Sequence, residues 1–206
     1  MAKAKYHSPL RARQAAQTRA SILDAALGLF AERGWAATTL PMIAERAEVS
    51  PDTIYAVFGT KAALLRAVVD LAIVGDEDED PMVDRADFAV LGEGPRPQRV
   101  RAGVRYTLSV YGRSVPILRT LREAAASDAT ARERYERYGA DRRRVIASGM
   151  ALILGHEADE QLVDAIWALL SPETTSYLLE DCGWPPDEVE DWFVAMAEAA
   201  ISRADP

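Results

Sequence analysis

The segment from Thr38 to Asp70, TTLPMIAERAEVSPDTIYAVFGTKAALLRAVVD, constrains the fold more than any other part of the chain. Thr39 is suited to cap the N-terminus of a short helix that ends near Ala47. Ser50 is a second capping residue, and it precedes a helix over 51–58 that begins with a proline, whose fixed φ suits the first helical position. The pattern therefore predicts two short helices joined by a tight turn.

This spacing is typical of a helix-turn-helix, in which the second helix enters the major groove of DNA and the first crosses the backbone. Asp52, Thr53 and Tyr55 are expected to face outward from the second helix. The residues expected to close the small core are Ile43, Ala44, Ala47, Val49, Ile54, Val57 and Phe58. We therefore expect the segment to bind double-stranded operator DNA.

About the first 66 residues resemble the N-terminal domain of the TetR family of bacterial transcriptional regulators. The matching residues are Thr38, Thr39, Ile43, Ala44, Ala47, Val49, Ser50, Thr53, Ile54, Tyr55, Phe58, Thr60, Lys61, Leu64 and Leu65. The stretch from Ile22 to Trp35 is similar to the family's first helix and the glycine that ends it. The resemblance implies an all-α fold, with an N-terminal three-helix helix-turn-helix domain and a C-terminal helical domain for ligand binding and dimerisation.

Three residues depart from the family pattern. Glu48 stands where glycine is usual in the turn, and a left-handed conformation costs a non-glycine residue about 1 kcal/mol. Asp52 replaces another frequent glycine, and Val57 replaces a frequent histidine or tyrosine. Asp52 either stabilises the helix N-terminus alone or accepts a hydrogen bond from a cytosine amino group.

Lys61 lies in the first turn of the next helix, where a cation opposes the helix dipole, so an anion is expected nearby. The resemblance implies a DNA phosphate as that anion, and the alternative is a solvated surface lysine. The residues predicted to bind DNA are Thr38, Thr39, Ser50, Pro51, Asp52, Thr53, Tyr55, Lys61, Arg11 and Arg13.

Charge divides the chain into two parts. The net charge is −8, but residues 1–66 carry nine Lys and Arg against five Asp and Glu, whereas residues 67–206 carry fifteen against twenty-seven. We predict a flexible basic arm over 1–15, a helix-turn-helix domain over 16–66, and a helical effector-binding and dimerisation domain over 67–206. The arm is expected to lie along DNA phosphates or to enter a minor groove, and the alternative is a disordered tail.

The C-terminal part has the apolar spacing of several helices. One helix is expected from Lys61 to about Val74, followed by a loop over 75–97 with one short helical piece. Two helices are expected to meet at Pro116, and a long helix is expected over about 129–154. The arginine cluster at 142–144 is either a solvated stripe or a partner for an anionic ligand or neighbouring carboxylates.

Bulky apolar and hydroxyl-bearing residues of the middle helices are candidates to line a ligand cavity. They are Tyr106, Val110, Tyr135, Met150, Trp167 and Tyr177. The last two long helices carry more apolar residues than one buried face requires, which indicates a homodimer, although the same residues would also suit a monomer core. The residues predicted for the dimer interface are Val163, Ile166, Leu170, Val189, Trp192, Phe193 and Met196.

The sequence offers little for catalysis or export. Cys182 is a single cysteine, no secretion signal or membrane-length apolar run is present, and a cytoplasmic protein without a disulfide is expected. The two histidines lie far apart, and no metal-binding, phosphate-binding or nucleophile motif is found. We therefore expect no cofactor, no metal and no enzymatic activity.

The prediction is a homodimeric transcriptional repressor that releases operator DNA when a small, largely apolar effector binds its C-terminal domain. One alternative is a protein-interaction module in which Glu48 and Asp52 have abolished specific DNA binding. The other is a ligand-binding or enzymatic helical protein with an incidental helix-turn-helix. Binding that depends on salt and on Tyr55 and Lys61 would favour the regulator over both alternatives.

Overall fold

The computed structural model describes residues 9–75 and 82–204, and within these ranges the chain is all-α, as predicted. Its α-helices are α1 (Pro9–Ala37), α2 (Leu40–Arg46), α3 (Pro51–Phe58), α4 (Lys61–Val74), α5 (Ala86–Ala89), α6 (Arg96–Ala125), α7 (Ala129–Leu154), α8 (Glu160–Leu169), α9 (Pro172–Ser176) and α10 (Pro186–Ala204). Single 3-10 turns, Met82–Asp84 and Val90–Gly92, flank α5, and a π-helical turn, Tyr177–Asp181, continues α9.

Hydroxyl caps set the starts of the helix-turn-helix elements. Each capping hydroxyl accepts a hydrogen bond from the backbone amide three residues later, at 3.4 Å for Thr39, 3.2 Å for Ser50 and 3.0 Å for Thr60. Gly75 ends α4 in a left-handed conformation with φ of 89°. The predicted positions of α2, α3 and α4 are therefore confirmed.

Helix α6 is continuous through Pro116, so the prediction of two helices meeting there is wrong. A proline inside a helix leaves the carbonyl four residues earlier without its usual partner. That carbonyl belongs to Gly112, which is exposed to solvent, and solvent can supply the missing hydrogen bond. The flanking Val115, Ile117 and Leu118 are buried, so tertiary packing stabilises the helix on both sides of the proline.

Two further segments differ from the prediction. Residues 9–15 of the expected basic arm belong to α1, whereas the rest of that arm lies outside the described residues. The expected loop over 75–97 contains α5 and two 3-10 turns rather than one short helical piece. Phe88 and Leu91 in this segment are buried, and that burial explains the additional helical structure.

Two apolar cores organise the described residues. The first combines α1–α4 with Ile117, Leu118 and Leu121 from the C-terminal half of α6 and with the start of α7. The second combines α5, the N-terminal half of α6, the end of α7, α8 and α10 around Phe193. The helix-turn-helix therefore shares a continuous core with α6. A displacement of α6 changes the packing of the helix-turn-helix.

Within residues 9–75 and 82–204, no helix is long and apolar enough to cross a membrane. In the same ranges, no group of three or more His, Cys, Asp or Glu side chains is arranged to hold a metal ion.

Candidate DNA interface, ligand cavity and dimer surface

Helix α3 has one solvent-exposed face, and its opposite face packs on the first apolar core. Tyr55 is 54% exposed, and Asp52 lies near it at the exposed N-terminal end of the helix. Ile54 and Phe58, four residues apart, occupy the inner face. The expectation that Val57 belongs to the core is wrong, because an eight-residue helix anchored by those two side chains leaves Val57 exposed.

Several other residues predicted to bind DNA are exposed at or near the N-termini of helices. Thr39, Ser50 and Pro51 are exposed at the starts of α2 and α3. Arg11 and Arg13 are exposed in the first turns of α1. The partly buried Thr53 exchanges a 2.9 Å hydroxyl hydrogen bond with Ser50, which orders the start of α3.

Thr38 does not belong to this surface. Its side chain is fully buried, and its hydroxyl donates to the carbonyl oxygens of Leu29, at 3.1 Å, and Gly34, at 2.8 Å. The hydroxyl thus satisfies backbone groups at the end of α1, where Gly34 interrupts the helix with φ of 72°. The paired threonines of the motif gave no signal that one caps α2 and the other is buried.

The turn between α2 and α3 places Glu48 in the left-handed region, with φ of 55°. Glu48 therefore adopts a backbone conformation that glycine adopts without steric cost. The amide of Val49 donates to the carbonyl of Ala44 at 3.0 Å, which closes the turn. The conformation of Glu48 is therefore strained, and its carboxylate is exposed beside α3.

Lys61 lies against Trp35 rather than in solvent. Its Nζ is 4.0 Å from the centre of the Trp35 ring and donates to the Trp35 carbonyl oxygen. Burial lowers the pKa of Lys61 from its usual value, and the nearby Glu123 carboxylate acts in the opposite direction. In this state, contact with a phosphate would require the lysine to leave its site on Trp35.

Glu123 is a residue that the sequence analysis missed. Its two carboxylate oxygens accept hydrogen bonds from the Trp35 amide at 2.8 Å and the Ala36 amide at 3.0 Å. A Cβ on Gly34 would lie 2.7 Å from this carboxylate, so the glycine also makes room for it. Thr120, one turn earlier on α6, donates to the Phe30 carbonyl at 2.9 Å. Helix α6 is thereby attached to the end of α1.

A cavity of about 340 Å³ lies between α4, α6 and α7, and Met82 also contributes to its lining. Of the six residues predicted to line a ligand cavity, Tyr106 and Val110 line this one. The lining residues are Asp70, Ile73, Val74, Met82, Tyr106, Thr107, Val110, Tyr111, Arg134, Tyr138, Asp141, Arg142, Val145 and Ile146.

The other predicted ligand residues lie elsewhere. Met150 lines a neighbouring void of about 50 Å³, together with Tyr106. Tyr135 and Trp167 line an outward-facing groove. Tyr177 is 61% exposed, so its assignment to a cavity is corrected by the structure. Its place in a π-helical turn after α9 points it away from the bundle interior, which periodicity alone could not reveal.

Buried polar groups line one side of the cavity. The hydroxyl of Tyr111 donates to the Leu170 carbonyl at 2.7 Å, and Arg142 Nη1 donates to the carbonyls of Trp167 at 2.8 Å and Leu170 at 3.0 Å. The Arg142 guanidinium carbon lies 4.4 Å from the centre of the Trp167 ring. Burial raises the pKa of Tyr111 and of Tyr138, so both phenols stay protonated at neutral pH.

The structure also corrects the residues expected at a dimer interface. Helices α8 and α10 bury one side against the second core, so most of the predicted set faces inward. The buried members are Val163, Ile166, Leu170, Val189 and Phe193. Trp192 is partly exposed, Met196 is exposed, and the outer sides of the two helices carry the exposed alanines Ala165, Ala168, Ala195 and Ala199.

The comparisons with known proteins agree with this arrangement. Residues 22–68 match the family model described as bacterial regulatory proteins, tetR family. An HTH-type transcriptional repressor of Mycobacterium tuberculosis is 48% identical over 54 residues, which cover 26% of this chain and 29% of that protein. The HTH-type transcriptional regulator TtgR of Pseudomonas putida is 47% identical over 57 residues, which cover 28% of this chain and 27% of TtgR. The chain thus matches less than a third of the length of these curated relatives.

Solved structures match over most of the chain. A tetR-family transcriptional regulator from Streptomyces coelicolor has a TM-score of 0.64 at 18% identity, over 90% of this chain and 82% of that one. A transcriptional regulator from Rhodococcus has a TM-score of 0.65 at 15% identity, over 91% of this chain and 98% of that one. The fold is therefore that of a helix-turn-helix domain joined to a helical C-terminal domain. Residues 22–68 are thus similar in sequence to the tetR family of bacterial regulatory proteins.

Proposed function

We propose that this protein is a homodimeric transcriptional regulator that binds operator DNA and releases it when a small, largely apolar molecule enters the cavity. The observation that carries the proposal is the combination of an exposed recognition helix with a separate cavity lined by helices that also pack in the core of the helix-turn-helix. The names of the curated relatives, regulators and repressors, support the same function.

Helices α4 and α6 provide the route from cavity to DNA. Ile73 and Val74 of α4 and Tyr106 and Val110 of α6 line the cavity. Farther along α6, Glu123 binds the amides at the end of α1. A ligand that favours one arrangement of these helices over another changes the position of α3 and so the affinity for DNA.

Dimerisation would place two recognition helices on one face of the duplex. The alanines Ala165, Ala168, Ala195 and Ala199 and the side chain of Met196 are exposed on α8 and α10, and small exposed side chains allow close packing against a copy of the same helices. A two-fold dimer predicts an operator of two inverted half-sites whose centres are roughly 34–36 Å apart, or a multiple of that distance.

The test is selection of binding sites from random-sequence DNA with the purified full-length protein. We expect enrichment of an inverted repeat, and we expect Tyr55→Ala to weaken binding to the selected site by about tenfold or more, because Tyr55 is the exposed aromatic residue of α3. Tyr177→Ala is the matched control, since Tyr177 is a similarly exposed tyrosine outside the helix-turn-helix. No enriched sequence would favour a protein-interaction module instead.

A further inference from the structure

One face of α7 carries a polar stripe along the cavity. Arg134, Tyr138 and Arg142 are spaced by four residues, so they lie on the same side of the helix, and all three line the cavity. Eight residues of helix span about 12 Å, which is comparable to the length of a small organic molecule. The next turn of α7 contributes Val145 and Ile146, so the cavity changes from polar to apolar along this helix.

Two hydrogen-bond donors on this stripe lack a well-formed hydrogen bond. Arg134 Nη1 and the Tyr138 hydroxyl are both buried, and neither makes a hydrogen bond of standard geometry within the described residues. The Tyr138 hydroxyl has the Tyr111 hydroxyl as a weakly placed neighbour. A guanidinium nitrogen can only donate, and the raised pKa of Tyr138 keeps its hydroxyl protonated. Buried donors without partners are costly, so the pair favours a ligand that brings acceptor oxygens.

The carboxylates of the cavity are already paired. Asp70 Oδ1 accepts from Arg134 Nε at 2.9 Å and from Arg134 Nη2 at 2.7 Å. This pairing leaves Nη1 free and fixes the plane of the guanidinium. Asp141 accepts from Arg144, which lies outside the lining.

The charge of Arg142, by contrast, has neutral partners. Its Nη1 donates to the Tyr111 hydroxyl at 3.3 Å and to the carbonyls of Trp167 and Leu170. Among the described residues, no carboxylate forms an ion pair with it. Arg142 therefore has no carboxylate in direct contact within that part of the chain, although Glu173 raises the pKa of Tyr111 and Tyr138 through space. A guanidinium whose hydrogen-bond partners are all neutral favours an anion over a cationic group.

The rest of the lining determines the remainder of the ligand. It is dominated by the apolar or aromatic side chains Ile73, Val74, Met82, Tyr106, Val110, Val145 and Ile146. A cavity of about 150 Å³ holds one benzene molecule, so the volume here suits about a dozen non-hydrogen atoms. A ligand that is complementary to both the polar stripe and the apolar lining has an acidic group and an apolar body.

We propose that the effector is an apolar monocarboxylic acid, either a medium-length fatty acid or an aromatic acid. Its carboxylate accepts hydrogen bonds from Arg134 Nη1 and the Tyr138 hydroxyl, near the charge of Arg142, and its apolar body lies among Val145, Ile146 and the side chains of α4 and α6. This inference rests on the proposed function, because it specifies the ligand class of the same cavity.

The test compares three probes of the same chain length on the full-length protein by calorimetry, below their aggregation concentrations. The probes are decanoate, 1-decanol and decylammonium, and 2-naphthoate is added to compare a ring with a chain. We expect decanoate or 2-naphthoate to bind about tenfold tighter than 1-decanol, and decylammonium to bind weakest, since charge-assisted hydrogen bonds to a buried donor pair are strong.

Tyr138→Phe removes the proposed donor and keeps the ring. We expect it to weaken carboxylate binding by about threefold to tenfold and to leave 1-decanol unchanged. Tyr135→Phe is the matched control, since Tyr135 lies on the same helix and lines the groove but not the cavity, whereas Tyr138 lines both. Equal or tighter binding of 1-decanol or decylammonium, failure of both carboxylates to bind, or an equal effect of the two phenylalanine variants would overturn the proposal. DNA affinity is measured separately on the same samples, so retained operator binding with no carboxylate response overturns the ligand class alone.

Discussion

Single residues in the helix-turn-helix show how far local sequence rules reach. The hydroxyl caps at Thr39, Ser50 and Thr60 are predictable because each depends on a residue and the amide three positions later. The role of Thr38 depends on Leu29 and Gly34, which α1 brings beside it. Such a contact has no periodic signature in the sequence.

Glu48 has a left-handed backbone conformation that is unfavourable for a residue with a side chain. Replacing it by glycine removes about 1–2 kcal/mol of left-handed strain, and the extra freedom of glycine in the unfolded chain offsets about 0.5–1 kcal/mol of that. We expect Glu48→Gly to increase the free energy of unfolding by about 0.5–1 kcal/mol in urea. Glu45→Gly, in the last turn of α2, is the control and should lower it. A loss of stability in Glu48→Gly would contradict the interpretation of the turn.

Lys61 gives a pH-dependent prediction. Burial against Trp35 lowers the pKa of Lys61 in the folded chain, so the unfolded chain binds this proton more tightly. The cost of burying the charged lysine is present at neutral pH and is lost as pH rises through the folded pKa toward the unfolded value, roughly 10.4. We expect the stability of the natural chain relative to Lys61→Met to increase over that alkaline range.

The measurement is urea unfolding of both proteins between pH 7 and pH 10.5. Arg66→Met serves as the control, since Arg66 lies on the same helix and is exposed. A difference between the natural chain and Lys61→Met that does not vary with pH would show that the lysine is not desolvated.

Among the helices, α6 connects the largest number of functional features. It lines the cavity through Tyr106 and Val110, crosses Pro116 without a break and reaches the end of α1 through Glu123. Its apolar spacing and breakers were visible in the sequence, but the proline was misinterpreted because packing on both sides of it stabilises the helix. The link through Glu123 joins residues that are 88 positions apart, so no local pattern reveals it.

Glu123→Gln tests this link. The Trp35 and Ala36 amides donate to different oxygens of Glu123, and glutamine replaces one of those oxygens by an NH2 donor. One amide therefore loses its acceptor, and we expect a loss of about 1 kcal/mol in the free energy of unfolding. The change in DNA affinity on adding a ligand should also become smaller, because α6 is less firmly attached to α1. Glu133→Gln on the exposed side of α7 is the control and should change stability by less than about 0.5 kcal/mol. Equal effects of the two substitutions would contradict the role of Glu123.

In the molecule as a whole, composition indicated the division of charge, and the motif indicated the fold. The expected dimer residues were mostly wrong because an amphipathic pattern cannot distinguish the face that packs inside the chain from the face that packs against a copy. Val163 and Phe193 are buried in the second core, whereas Ala168 and Ala199 are exposed. The apolar excess of the last helix that indicates a dimer includes Ala195 and Ala199. Small residues carry a weak hydropathy signal, so they were not among the residues predicted for the interface.

The proposed dimer surface is tested by placing a charge on it. We expect Ala199→Glu to convert a dimer into a monomer, because two copies of the new carboxylate would be buried near the two-fold axis without partners. Ala140→Glu, at an exposed alanine of α7, should leave the mass unchanged. Mass is measured by light scattering on the eluting protein. A dimer that persists with Ala199→Glu would place the interface elsewhere.

The central claim is that the chain binds a specific DNA sequence, and its most direct test is a salt titration of DNA binding. The purified protein is titrated onto labelled DNA from upstream of its own coding sequence and onto a scrambled fragment of the same composition. We expect the upstream fragment to bind about a thousandfold tighter, with an affinity that falls steeply as salt increases, because phosphate contacts release counterions. Equal affinity for the two fragments, together with no site selected from random-sequence DNA, would contradict the account.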